Sequence, residues 1–143
     1  LESRKGFTLV ELLFVIVIVG ILSSLAVSSV INWVHRVKVR NFAEETLSDL
    51  EWARVLAFKK GSSKVEFQND KYLIYVTSDS STPIKEKVAP EGVTIITNLT
   101  SGEVEFRRNK LPDRAGSIKI SGFGVEYRIV INHISGRIYL EKT

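Results

Sequence analysis

Residues 7–31 form an unbroken apolar run whose only charge is Glu11. Built as an α-helix at 1.5 Å per residue, such a run is about 37 Å long, against a bilayer hydrocarbon core of about 30 Å. The segment is therefore long enough to cross a membrane with tilt, and buried helices of soluble domains rarely extend this far without a break. Its small and hydroxyl residues, Gly20, Ser23, Ser24, Ala26, Ser28 and Ser29, suit close approach of one helix to another. Glu11 is the exception that needs an explanation. A carboxylate in an apolar helix costs on the order of a few kcal/mol at mid-membrane and less near the interface, so it calls for a cationic partner.

Beyond Trp33 the apolar residues thin out to one stripe. Val39, Phe42, Ala43, Thr46, Leu47, Leu50, Ala53 and Ala57 recur at spacings of three and four, the period of an amphipathic helix. Arg40 and Glu44 lie off the stripe as an i,i+4 pair. No proline occurs before Pro83, so one helix is expected from about residue 7 to residue 59, ended by Gly61-Ser62-Ser63. The period then changes to two. A hairpin is expected over 64–68 and 71–77 about Asn69-Asp70, with further strands at 93–97, 103–107, 117–121, 125–132 and 137–141. The loops are expected at 78–92, 108–116, Gly122-Phe123-Gly124 and Ser135-Gly136. The fold class that follows is α+β: a long N-terminal helix, apolar in its first half and amphipathic in its second, packed on a C-terminal antiparallel β-sheet domain.

A short polar leader containing Arg4 and Lys5 precedes Gly6-Phe7-Thr8-Leu9-Val10-Glu11. This arrangement resembles the class III signal of type IV pilins and pseudopilins. A secretory signal peptide is cut after its apolar region and loses it. The resemblance instead implies a prepilin peptidase cutting between Gly6 and Phe7, methylation of the new N-terminal Phe7, and retention of the apolar helix. It also implies that Glu11 pairs with the Phe7 α-amine of a neighbouring subunit during assembly, which would remove an unpaired buried charge on both sides. The expected organisation is a leader at 1–6, a transmembrane or fibre-core helix at 7–33, an amphipathic helix at 34–60 and a β-rich globular domain at 61–143. Flanking bases alone (Arg4 and Lys5 before the span, Arg36, Lys38 and Arg40 after it) would favour the opposite topology by the positive-inside rule. The leader signal outweighs that count because its peptidase acts on the cytoplasmic face. The expectation is a single-pass inner-membrane protein with its globular domain on the periplasmic or extracytoplasmic side.

The closing segments Val104-Glu105-Phe106, Gly116-Ser117-Ile118-Lys119-Ile120, Tyr127-Arg128-Ile129-Val130-Ile131 and Ser135-Gly136-Arg137-Ile138 are similar to the last strands of the GspH/FimT family of minor pseudopilins. That family often has a glycine shortly after the Phe106 position, where this chain has Arg108 and Asn109. Some members that serve DNA uptake carry a Gly-Arg-x-Arg tail, where this chain has Gly136-Arg137-Ile138-Tyr139. Residues 107–143 nevertheless hold eight bases and three acids, a net charge of +5 within a chain of net charge +4. Arg107, Arg108, Arg114 and Arg137 are the candidate DNA contacts.

Other chemistry finds little support. The chain has no Cys, which removes disulfides and thiolate metal sites and departs from the major pilins that staple a C-terminal loop. It also has no Met, so an alternative start or a trimmed N-terminus is expected. His35 and His133 lack any second ligand at metal-binding spacing. No nucleophile elbow or glycine-rich phosphate loop is present, and Gly122-Phe123-Gly124 is expected to be a hairpin turn. The resulting expectation is a structural protein without enzymatic activity, metal or cofactor: a minor pseudopilin of a type II secretion system, or alternatively a minor pilin of a type IV pilus or competence machine with weak DNA binding. Its partners would be the prepilin peptidase, other pseudopilins or pilins, the membrane and, in the alternative, DNA.

Overall fold

The computed structural model describes residues 6–76 and 81–143. The leader residues 1–5, and Thr77 to Ser80 at the end of the expected second strand and in the loop after it, lie outside the described residues. The chain divides into two compact units, Leu1–Val34 and His35–Thr143. A single helix, α1 (Leu9–Lys60), contributes to both. It begins two residues later than the periodicity suggests because Thr8 caps it, as described below.

In the first unit the described large side chains of α1 are exposed, from Leu9 at 78% to Trp33 at 65%. An 18-residue window of this segment has a mean hydropathy of 2.7, and α1 is the one helix among the described residues long and apolar enough to cross a membrane. The hydroxyls of this stretch do not interrupt it. Ser23 donates to the Val19 carbonyl and Ser24 to the Ile21 carbonyl, each at 2.7 Å, so both are satisfied within the helix. The side chains of Ala26 and Ser28, two of the small residues noted in the sequence, lie outside the described residues.

Among its described residues the second unit holds eight strands in two four-stranded antiparallel sheets. They are β1 (Ser62–Phe67), β2 (Lys71–Tyr75), β3 (Lys85–Val88), β4 (Thr94–Thr97), β5 (Glu103–Arg107), β6 (Gly116–Gly122), β7 (Val125–Ile131) and β8 (Ile138–Lys142). One sheet has the order β3-β2-β1-β5 and the other β4-β6-β7-β8. Period-two burial places Val65, Phe67, Tyr72, Ile74, Val104 and Phe106 of the first sheet in the core. Ile95, Ile118, Ile120, Ile129 and Ile131 of the second sheet join the same core cluster. The stripe of α1 completes it: Val39, Phe42, Ala43, Thr46, Leu50, Ala53 and Ala57 are all buried, with Leu47 packed at the margin. Three alanines at zero exposure let the helix backbone come close to the strands, and Ser63 of β1 donates to the Ala53 carbonyl at 2.6 Å across that contact.

The strand β3 corrects the expected loop over 78–92. Its sequence, Lys85-Glu86-Lys87-Val88, is mostly charged and gives no apolar alternation. It is an edge strand, where lysines are well tolerated and discourage further pairing. What holds it is remote in sequence. Lys85 and Lys87, two apart on β3, meet Asp49 at 2.7 Å and Glu45 at 2.6 Å, four apart on α1. Lys71 of β2 meets Glu86 at 2.9 Å on the other face. Asp49 is also the acceptor for the buried Tyr72 hydroxyl at 2.6 Å, so one carboxylate ties α1 to β2 and β3 together.

The turn Gly122-Phe123-Gly124 is a two-residue hairpin between β6 and β7, as expected, with Gly122 paired to Val125. Phe123 and Gly124 have φ of +50° and +75°, the signs required by a type I′ turn. Phenylalanine rarely adopts such a backbone. Its ring stacks on His35 at 4.0 Å between centroids and covers Gly92, where a Cβ would collide with it.

Burial and the hydrogen bond to Asp49 push the Tyr72 phenol well above its ordinary value of 10.0. The folded state therefore holds that proton more tightly than the unfolded state. The resulting stabilisation is complete below about pH 10 and declines as pH rises further. Tyr72→Phe should abolish that alkaline slope and lower stability at neutral pH by about 2 kcal/mol, because it removes a hydrogen bond to a charged group. Denaturant titrations of both proteins between neutral pH and pH 11 check the sign and the magnitude.

Candidate functional site

The N-terminal segment is built by a helix cap. Gly6, Phe7 and Thr8 precede α1 in non-helical conformation and are exposed. The Thr8 hydroxyl accepts the Glu11 N–H at 3.2 Å, and the Thr8 carbonyl accepts the Leu12 N–H at 3.2 Å. Thr8 is thus the N-cap and Glu11 stands at N3, the spacing of a capping box. An acid in the first turn also complements the helix dipole. The Thr-x-x-Glu spacing was legible in the sequence as a cap, in addition to any role of Glu11 in assembly. Phe7 is 79% exposed, and a Cβ added to Gly6 would meet nothing within 4 Å. The bond between them is therefore accessible, and the glycine is not required by the fold.

The candidate basic residues gather at one end of the second unit. Arg107 and Arg108 leave β5 beside the end of α1: Arg107 pairs with Ser62, and a Cβ on Gly61 would lie 3.9 Å from Arg108 Nη2. The following loop folds back through a bridge between Phe106 and Pro112. It carries Lys110, whose ammonium sits 4.4 Å above the Phe58 ring. The loop also abuts the turn before β8. There the His133 Nδ1–H donates to the Pro112 carbonyl at 3.1 Å, and Arg54 of α1 donates to the Gly136 carbonyl at 2.7 Å. This brings exposed Arg107, Arg108, Lys110 and Arg137 to the same end as Lys59 and Lys60. Arg114 is differently placed. It is bound to Asp113 and donates to the Thr100 carbonyl at 2.9 Å, so its charge is already answered, and the Asp113 contact raises its pKa. Lys110, which the sequence did not single out, stands in a more open position. No group of three or more potential metal ligands occurs among the described residues.

Comparison with known proteins follows this division. Residues 3–27 match the family described as the prokaryotic N-terminal methylation motif. Two crystal structures of the type IV minor pilin FimU of Pseudomonas aeruginosa superpose with TM-scores of 0.60 and 0.62 at 18% identity. They cover 71% and 74% of this chain and 91% and 90% of FimU. The fold is that of a type IV pilin. The chain is also similar to competence protein ComGD of Bacillus subtilis (strain 168), with 26% identity over 143 residues, covering 99% of this chain and 96% of ComGD. The capped segment Gly6 to Glu11 lies inside the residues that match the methylation motif.

Thr8→Ala should fray the first turn of α1 at a cost of about 1 kcal/mol, the usual value of an N-cap hydroxyl. Amide hydrogen exchange in detergent micelles should accelerate at Glu11 and leave the strands of the second unit unchanged.

Proposed function

We propose that this chain is a minor pilin, a structural subunit of a type IV pilus or competence assembly, and not an enzyme. The observation that carries the reading is a pilin fold whose methylation motif presents an exposed, non-helical Gly6–Phe7 bond directly before a capped apolar helix. In this reading the prepilin peptidase cuts that bond, Phe7 is methylated, and Glu11 answers the Phe7 α-amine of a neighbouring subunit. The apolar part of α1 anchors the subunit once across the inner membrane, with the second unit on the extracytoplasmic side. The likeness to a competence protein along nearly the whole chain, and to a type IV minor pilin, supports this reading, with a type II secretion pseudopilin as its rival.

Co-expression with a prepilin peptidase, followed by intact mass spectrometry, should give a chain starting at Phe7. Gly6→Ala should block that cut without changing thermal unfolding, because the fold leaves open space at Gly6. Glu11→Ala should be processed but incorporated poorly into sheared fibres. A mature chain that keeps Lys5, or normal assembly of Glu11→Ala, would overturn the reading.

A second reading, DNA contact, is supported by the basic end formed by Arg107, Arg108, Lys110 and Arg137. A few phosphate contacts give weak, sequence-independent and strongly salt-dependent binding. Gel-shift titration should give a micromolar or weaker affinity that is lost by about 0.2 M salt. Arg137→Ala and Lys110→Ala should each reduce the salt dependence, whereas Arg114→Ala should leave it unchanged.

A further inference from the structure

The outer face of the second sheet contains a cavity of about 510 Å³ at the end where β6 begins and β7 finishes. Arg128, Asn98, Ser117 and Asn132 line it, with the aliphatic side chains of Val130 and Ile134. No acidic side chain lines it. The polar groups are biased toward donation. The Asn98 side-chain oxygen accepts the Ser117 N–H at 2.6 Å, and that of Asn132 accepts the N–H groups of Ile134 and Ser135 at 3.0 Å. These bonds fix the orientation of both amides and leave an NH2 group on each as the remaining donor. His133 donates from Nδ1 to the Pro112 carbonyl, away from the two amides.

Arg128 is incompletely answered. The adjacent Glu126 lies 3.1 Å from Lys119 but 3.8 Å from Arg128, and the buried Arg128 Nε has no hydrogen-bond partner. A buried donor without an acceptor is costly, and such groups are rare in native folds. A second cavity of about 280 Å³ shares Asn98 and Ser117 and continues the depression toward Ile96, where the paired Lys119 and Glu126 line it. Ile134, 87% exposed, stands at the rim as an apolar side chain without cover.

We propose that this cavity binds a carboxylate carried by an extended peptide segment of a partner protein. A planar carboxylate is the natural acceptor for one guanidinium supported by neutral amide and hydroxyl donors. A phosphate dianion would call for a second fixed cation, and besides Arg128 the cavity holds only the His133 ring, whose Nδ1 is taken by the Pro112 carbonyl. The volume exceeds that of a bare carboxylate and leaves room for a flanking apolar residue against Val130 and Ile134. The site is distinct from the basic end at Arg107 and Arg137, and the proposal does not depend on the pilus reading.

The test uses the full chain, uniformly labelled with ¹⁵N, in neutral detergent micelles. The Arg128 Nε–Hε resonance is followed during titration with N-acetyl-alanyl-leucine, its C-terminal amide, or inorganic phosphate. The free acid should give a saturable shift, the amide should bind at least about tenfold more weakly, and Arg137→Gln should change neither result. Arg128→Lys should weaken binding of the free acid, read from the Asn98 and Asn132 side-chain amide signals, while the remaining spectrum confirms the fold. Equal binding of acid and amide, phosphate binding as tight as the acid, or no saturable shift up to the solubility of the peptide would each overturn the proposal.

Discussion

The globular unit depends on one stripe of α1. Between Val39 and Ala57, that stripe enters the same core as the inward residues of both sheets. Neither four-stranded sheet could hide its apolar face alone, because a sheet must bury that face against another layer. The residues at the contact are therefore constrained in size as well as polarity. Ala43, Ala53 and Ala57 have no exposed surface, and a larger side chain at any of them would have to displace a strand.

Polar groups within this contact are matched rather than excluded. Thr46 returns its hydroxyl to the Phe42 carbonyl, Ser63 reaches the Ala53 carbonyl, and Asp49 takes both Tyr72 and Lys85. These bonds add direction to an otherwise non-directional apolar contact. The pairing of Lys85 and Lys87 with Asp49 and Glu45 defines where an edge strand of low intrinsic preference lies along the helix. The more exposed parts of that pairing add little stability by themselves, but the wrong register would leave Asp49 unpaired in a buried position.

The two candidate regions use different physics. At the N-terminus, the proposed processing and assembly rest on a bond that the fold leaves exposed and on a carboxylate placed one turn into an apolar helix. In the second unit, the proposed DNA contact rests on charges gathered by loops, where the side chains that matter are those whose charge is not already answered. Arg114 follows an acid directly in the sequence and Arg137 does not, and the structure adds the remote Thr100 carbonyl to the bonds of Arg114 while Arg137 stands exposed.

The sequence by itself determined the elements whose cause is local. The length of α1, its buried stripe and most strands follow from period and from turn chemistry, and the segment Gly6 to Glu11 is legible as a linear motif. The Thr8 cap was also present as a spacing of three. Tertiary structure decided what local pattern does not encode. It made β3 a strand by pairing its backbone with β2 and its lysines with acids of α1 about forty residues away, and it divided the strands between two sheets. It permitted a positive φ at Phe123 beneath His35, and it sorted the C-terminal bases into answered and open charges. Periodicity reports which face of an element is buried. Which charge finds which partner is set by distances that exist only after the chain has folded.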